Sequence, residues 1–158
     1  MTNNDILRRI RYIFDYSDSK MIKIFSLGGK QVTRAELSNW LRKEDHPDYQ
    51  ACKDILMATF LNGLIIDKRG KKEGKQPIPE LELTNNIIFR KLNIALKLQA
   101  DDVLAILNLA DFSMSKHELS AFFRKPGHKH YRECKDQILR NFLTGLQLKK
   151  RPDKTDPE

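Results

Sequence analysis

Histidine and cysteine occur in this sequence at a repeated spacing that could bind a metal ion. His46 is followed by Cys52, and His128 by Cys134, with five residues between the partners of each pair. Imidazole nitrogen and thiolate sulfur are the usual ligands of tetrahedral zinc, and these four groups together would complete a site. The spacing matches no compact zinc signature, in which ligands come in close pairs such as Cys-x2-Cys. A buried cysteine and a loop histidine explain the same residues, so we expect no cofactor and keep metal as the alternative.

The two cysteines could also act as nucleophiles. Each is predicted near the start of a long helix, where the helix dipole favours a thiolate. A nucleophile would also need a base and an oxyanion site, and the sequence identifies neither. Asp54 and Asp136, two residues after each cysteine, would complement the same positive helix ends. We therefore expect a binding role and no enzymatic one.

The segments around these cysteines are polar, and the second is strongly basic. Residues 42–53 and 124–135 each connect two predicted helices, and the second reads RKPGHKHYRECK. Lysine and arginine bind phosphates, and a tyrosine can stack on an unpaired base. The candidate nucleic-acid-binding residues are Arg42, Lys43, Arg124, Lys125, Lys129, Tyr131, Arg132 and Lys135. A solvated loop whose tyrosine packs on the helices is the alternative interpretation.

These segments correspond to each other because the chain contains an internal repeat. With a constant offset of 82 residues and no gap, residues 2–70 are identical to residues 84–152 at 23 of 69 positions. Such self-similarity indicates a duplicated supersecondary unit, and two copies are too few for an extended solenoid. We expect a bilobed body with pseudo-twofold symmetry. The predicted segments are a first helical repeat (1–69), a linker (70–83), a second helical repeat (84–151) and a disordered tail (152–158).

Apolar residues recur at helical spacing in four segments of each copy, and no segment alternates like a strand. The predicted fold class is therefore all-α, with two tandem copies of a four-helix unit. In the first copy the predicted buried residues are Ile6, Leu7, Ile10, Ile13, Phe14, Met21, Ile22, Ile24, Phe25, Leu37, Trp40, Leu41, Ile55, Leu56, Phe60, Leu61 and Leu64. In the second copy they are Ile88, Phe89, Leu92, Ala95, Leu96, Val103, Leu104, Ile106, Leu107, Leu119, Phe122, Phe123, Ile138, Leu139, Phe142, Leu143 and Leu146.

Several local signals predict where these helices begin and end. The candidate caps of the first helix are Asn3, Asn4 and Asp5. Gly28–Gly29 in the first copy and Asp111 in the second follow the end of the second helix. Capping boxes at the start of the third helix pair Thr33 with Glu36 and Ser115 with Glu118. The fourth helix is predicted over residues 51–68. Its internal glycine, Gly63 or Gly145, costs about 1 kcal/mol relative to alanine. This indicates close approach of another helix or of the other copy, with a ligand contact as the alternative.

Composition and charge restrict the function classes. The chain has 158 residues, 40% hydrophobic, and its first residues lack the apolar core of a signal peptide, so we expect a folded cytoplasmic protein without membrane contact. The net charge of +8 favours acidic partners. Residues 2–69 carry 12 basic and 9 acidic side chains, whereas residues 84–151 carry 13 and 6. If an anionic polymer binds, the second copy should dominate.

A helix-turn-helix is a further interpretation of the second and third helices of the first copy. Their lengths and order fit that motif. The connection from Leu27 to Val32 is long for it, and the second copy lacks the two glycines of the turn.

The sequence also resembles a known family. The segments NNDILRRIRY, LRKEDHPDYQACKDILMATFLNGLIIDKRG and RKPGHKHYRECKDQILRNFLTGL resemble the YehS-like family of uncharacterised bacterial proteins. The resemblance covers residues 2–148 and implies a bacterial cytosolic protein with a duplicated helical domain. It implies no activity and no site residue.

The function that these observations favour is a non-enzymatic helical module that binds nucleic acid, RNA or DNA, through its basic second repeat. An acidic protein is another partner that the charge would suit. The alternative function is a protein-protein interaction scaffold or homo-oligomer, because the helical architecture is duplicated and no catalytic set is assembled.

Overall fold

The computed structural model describes residues 1–153, which form eight α-helices and no strand. The helices are α1 (Asn3–Phe14), α2 (Asp18–Leu27), α3 (Arg34–Leu41), α4 (Asp54–Arg69), α5 (Asn85–Ala95), α6 (Ala100–Leu109), α7 (Lys116–Ala121) and α8 (Asp136–Lys150). They form two compact units, unit 1 (Met1–Leu83) and unit 2 (Thr84–Glu158). The predicted all-α fold of two tandem four-helix units is confirmed. Within the described residues, no helix has the length and apolarity needed to cross a membrane.

Each unit has its own aromatic core. In unit 1, the Phe25 ring lies 5.4 Å from Trp40 and 5.1 Å from Phe60, measured between ring centroids. In unit 2, Phe89 contacts the rings of Phe122, Phe123 and Phe142. These aromatic side chains join the helices of a unit through large apolar contacts.

Most residues of the predicted apolar stripes are buried, and a minority at helix ends and stripe edges are not. The partly or largely exposed ones are Phe14, Ile22, Leu41, Ile55, Leu56, Leu96, Leu104, Phe123 and Ile138. Phe14 and Leu41 are the last residues of their helices, and Ile55 and Leu56 lie in the first turn of α4, where fewer neighbours cover them. Met57, which the predicted stripe omitted, is fully buried.

The glycine inside each long helix allows a second helix to approach closely. A Cβ atom on Gly63 would overlap the carbonyl oxygen of Ile24 in α2, and one on Gly145 would overlap that of Ile106 in α6. The predicted close approach of another helix is thus confirmed, and the neighbouring helix belongs to the same unit.

The helix ends confirm some capping predictions and correct others. Both predicted capping boxes are present. The second helix of unit 1 ends at Leu27 with Gly28 as its C-cap, followed by Gly29 at φ 105°, and Asp111 takes the equivalent left-handed position at φ 57° in unit 2. The N-cap of the first helix is Thr2, which was not among the candidates: its hydroxyl accepts the backbone N–H of Asp5, and the Asp5 carboxylate accepts the Thr2 N–H at 3.0 Å, so Asp5 completes a capping box whereas Asn3 and Asn4 do not cap the helix. Asn4 is instead buried with other partners.

The fourth helix of unit 1 begins at Asp54, three residues later than predicted, because Lys53 is extended (φ −65°, ψ 153°). Residues 70–83, the predicted linker, contain no helix and run from the end of α4 back to its start. There the Leu83 backbone N–H donates to Asp54 Oδ2 at 2.9 Å. The predicted disordered tail lies mostly outside the described residues.

Candidate nucleic-acid interface

The basic segment singled out in the sequence is a loop that is held by a buried asparagine. We name residues 42–53 loop A and residues 124–135 loop B. In unit 2, Asn86 Nδ2 donates to the carbonyl oxygens of Phe122 (3.0 Å) and Arg132 (2.8 Å), and Asn86 Oδ1 accepts the Cys134 N–H (2.8 Å). Only 7% of Asn86 is exposed. One side chain thus joins the end of α7 to two points near the end of loop B.

The same arrangement holds loop A. Asn4 Nδ2 donates to the carbonyl oxygens of Trp40 (2.9 Å) and Gln50 (2.8 Å), and Asn4 Oδ1 accepts the Cys52 N–H (3.0 Å). We call each set of three bonds the asparagine clamp. Every partner in it is a main-chain group, so the clamp does not depend on which side chains the loop carries.

A second asparagine in each unit fixes the start of the long helix. Asn3 Nδ2 donates to the Cys52 carbonyl (2.9 Å) and to Asp54 Oδ1 (2.7 Å). Asn85 makes the equivalent bonds to Cys134 (3.0 Å) and Asp136 (2.7 Å). The Asn-Asn pair that the two copies share therefore orders both ends of this connection.

The histidine of each loop is part of a turn. His46 Nδ1 accepts the Asp48 N–H at 3.0 Å, and His128 Nδ1 accepts the His130 N–H at 3.0 Å. The backbone N–H of Tyr49 and of Tyr131 donates to the carbonyl of the same histidine. These bonds give His46 and His128 a structural role and commit one ring nitrogen of each.

Both cysteines are buried neutral thiols. Cys52 is 4% and Cys134 is 1% exposed, and each Sγ lies 3.8 Å from the carbonyl oxygen of the next residue. Burial raises the pKa of each thiol to about 12, and the carboxylates of Asp54 and Asp136 add to this effect. The helix dipole does not favour a thiolate here, because each cysteine precedes its helix and is desolvated.

The alternative metal site of His46, Cys52, His128 and Cys134 finds no support within either unit. Among residues 1–153, no three His, Cys, Asp or Glu side chains lie close enough to hold a metal ion.

A cleft of about 250 Å³ lies between α7 and loop B in unit 2. Cationic, imidazole, hydroxyl and small side chains form its walls, together with one carboxylate. They are Arg124, Lys129, Arg132, His117, His130, Ser120, Tyr131, Ala121 and Glu118. The structure therefore brings four of the predicted site residues together: Arg124, Lys129, Tyr131 and Arg132.

The other predicted residues lie elsewhere. Lys125 is exposed in loop B, and Lys135 pairs with Glu133 at 3.0 Å. Arg42 and Lys43 belong to loop A in unit 1. His117, Ser120 and His130 also line the cleft and were not predicted from the sequence. The first two reach it from α7, outside loop B.

The carboxylate of Glu118 is already committed to a capping box. Its Oε1 accepts the Ser115 backbone N–H at 2.9 Å. This bond is the main reason that the Glu118 pKa is lowered, and the Ser115 hydroxyl and Arg132 contribute. Within residues 1–153, no carboxylate forms a salt bridge with Arg124, Lys129 or Arg132. The cleft thus combines three cations that form no salt bridge with one carboxylate that is hydrogen-bonded to Ser115.

Arg124 is free of contacts that hold its counterpart in unit 1. Arg42 Nε donates to Asn39 Oδ1 at 3.2 Å, and Arg42 Nη1 lies 3.1 Å from His46 Nε2. The position of Asn39 is occupied by Ala121 in unit 2, which has no side-chain acceptor. Accordingly, Arg42 is half-buried and Arg124 is exposed.

A second arginine differs between the units in the same way. The Arg8 guanidinium donates to the Asp5 carboxylate at 2.5 Å and to the Arg42 carbonyl at 3.0 Å. Its counterpart Arg90 is exposed, and Ile87 replaces the aspartate. Arg90 is thus another cation of unit 2 that the sequence analysis did not single out.

Comparison with known proteins identifies the family. The family model described as "Protein of unknown function (DUF1456)" matches residues 3–70 and again residues 85–151. The chain is 47% identical over 147 residues to the "Uncharacterized protein YehS" of Escherichia coli (strain K12), which covers 92% of this chain and 94% of that protein. No solved structure matches the chain. The two family matches coincide with the two helical units, and the chain belongs to the DUF1456 family of proteins of unknown function.

Proposed function

We propose that unit 2 binds nucleic acid, RNA or DNA, in the bacterial cytoplasm, and that the cleft beside loop B is the contact surface. The observation that carries the proposal is the convergence of Arg124, Lys129 and Arg132 on one cleft without a carboxylate partner. A cationic side chain that is unpaired in the free protein can bind a phosphate without first breaking a salt bridge. Each such contact also releases condensed counterions from the polymer, which favours binding.

The difference between the loops supports this assignment. Loop A contains three basic and three acidic side chains, for a net charge of 0. Loop B contains five basic side chains and one acidic, for a net charge of +4, with His128 and His130 in addition. Since the same clamp holds both loops, the clamp does not account for this charge. A polyanionic ligand gives it a role.

The test is charge reversal in loop B. The variant carries Arg124→Glu, Lys125→Glu, Lys129→Glu and Arg132→Glu, and its affinity for a labelled single-stranded RNA or DNA is measured at several salt concentrations. We expect the Kd of the wild-type protein to rise steeply with salt, and the Kd of the variant to be at least about 100-fold higher near 0.1 M salt.

The matched control reverses four exposed basic side chains of unit 1 that are not candidate site residues and so changes the net charge by the same amount. These are Lys23, Lys30, Arg34 and Lys53. We expect a much smaller loss of affinity in this control, because the contact is local to the cleft. Equal losses in the two variants, or wild-type binding that is undetectable at low salt, would contradict the proposal.

A further inference from the structure

The size of the unit-2 cleft restricts what can enter it. Its volume of about 250 Å³ lies just below the 300–1,000 Å³ of pockets that hold whole drug-sized ligands. The cleft therefore suits one part of a larger ligand, such as a planar ring with its attached phosphate.

The walls of the cleft suit a nucleotide in particular. Tyr131 provides an aromatic ring on one wall and is half-exposed, so the ring is accessible. Its backbone is fixed, since the Tyr131 N–H donates to the His128 carbonyl at 2.9 Å. Arg132 next to it lies over the Phe122 ring, 5.8 Å from the centroid, and this contact orients the guanidinium. An aromatic ring thus adjoins an oriented cation.

Paired bases cannot use such a site. A base in a duplex is already stacked and paired, and it reaches a pocket only when it is flipped out at an energetic cost. An unpaired base is free to stack on an aromatic side chain, while its phosphates remain available to nearby cations. The neighbouring helix α7 has six residues, so it is short for a helix that reads a major groove.

We propose that the ligand of this cleft is single-stranded nucleic acid, one base of which stacks on Tyr131 while its flanking phosphates contact Arg124, Lys129 and Arg132. The inference rests on the proposed function and specifies its ligand class. Stacking is tolerant of sequence, because every base has an aromatic face. The affinity of the site should accordingly depend more on whether the nucleic acid is single- or double-stranded than on which bases it contains.

The experiment compares the binding of single-stranded and double-stranded probes by the wild-type protein and by a variant that lacks the Tyr131 ring. Fluorescence anisotropy gives the Kd of a 12-nucleotide single-stranded RNA, a single-stranded DNA of the same sequence and the corresponding blunt DNA duplex, all at one salt concentration. We expect the wild-type protein to bind the single strands at least roughly tenfold more tightly than the duplex. Tyr131→Ala should raise the single-strand Kd by roughly tenfold and leave the duplex Kd unchanged.

Two further variants separate stacking from folding. Tyr131→Phe keeps the ring and should bind single strands within about twofold of the wild type. Tyr49→Ala removes the equivalent ring of loop A and should have no effect on binding. Equal affinity for duplex and single strand, or unchanged single-strand binding by Tyr131→Ala, would overturn the inference and leave the proposed function standing. Failure of the wild-type protein to bind any of the three probes would remove both.

Discussion

Loops A and B share the same main-chain hydrogen bonds and differ in side-chain chemistry, and their backbones differ at one position, where Gly127 has φ 91° and the equivalent Asp45 is not left-handed. In both, a buried asparagine bonds the same three main-chain groups, a histidine ring accepts the N–H two residues later, and a neutral cysteine is buried. Loop A has balanced charges and a tethered arginine, whereas loop B has a net charge of +4 and an untethered one. The comparison indicates that the same clamp can hold loops of different charge, which leaves the side chains of loop B available for binding.

The largest effect is expected from exchanging the loops. Replacing residues 124–135 with the sequence of residues 42–53 should raise the Kd for single-stranded RNA about 100-fold or more, because the cationic surface is lost. The melting temperature should change little, since the clamp of Asn86 contacts only the main chain. Anisotropy and thermal melting measure the two effects. A chimera that fails to fold would contradict the inference that the clamp holds this loop whatever charged side chains it carries.

The next largest effect concerns the clamp that the loops share. Asn4→Ala and Asn86→Ala should each lower the free energy of unfolding by about 3 kcal/mol, because each leaves one N–H and two carbonyls near buried positions without a partner. Urea denaturation measures the loss. Asn39→Ala, which removes a side chain that is not fully buried, is the control and should cost less than about 1 kcal/mol. A small effect at either clamp residue would show that the loops are held by other means.

A smaller effect should follow from tethering the unpaired arginine. Ala121→Asn restores the acceptor that Asn39 provides in unit 1, so Arg124 should be drawn away from the ligand and the single-strand Kd should rise about threefold. Ala121→Val has a similar bulk and no acceptor, and it controls for a change of shape. Identical Kd values for the two variants would argue against tethering as the difference between Arg42 and Arg124.

The smallest difference is expected between the thiol reactivities of the two cysteines, although their loops differ in net charge. Burial raises both thiol pKa values to about 12, so at pH 8 neither should react with a thiol reagent in the folded protein. The pKa of each thiol in the folded protein lies above the ordinary value of about 9. The contribution of the neutral thiols to the free energy of unfolding is therefore complete below pH 9 and is lost as pH rises toward 12. Timed thiol labelling with and without urea measures reactivity. Faster labelling of Cys134 than of Cys52 would mean that loop charge affects the thiol.

The fold could be predicted from the sequence because its signals are local and occur twice. The 82-residue offset established the duplication, and the apolar stripes, the capping boxes and the glycines of α4 and α8 each depend on neighbours a few residues away. The asparagine clamp was not predicted, since its partners lie 36 to 48 residues from Asn4 and asparagine at a helix start ordinarily indicates a cap.

The site was predicted in part for the same reason. The basic loop is a continuous segment, so Arg124, Lys129, Tyr131 and Arg132 were found together. His117 and Ser120 reach the cleft from α7, and their proximity to loop B arises only from the tertiary structure. Ala121 lacks the side-chain amide of its counterpart Asn39. The effect of this difference on Arg124 could be inferred only from the structure, in which Asn39 accepts a hydrogen bond from Arg42.

The return of residues 70–83 along α4 has a consequence for how far that segment can be shortened. A helix of 16 residues is about 24 Å long, and a fully extended chain covers that distance in about seven residues. Residues 70–83 provide twice as many, so roughly half of them are surplus to the span between Arg69 and the Leu83–Asp54 bond. Deletions among the glycines and lysines of residues 70–75 should therefore be tolerated until that surplus is used, whereas deletions beyond it would have to pull Leu83 away from Asp54.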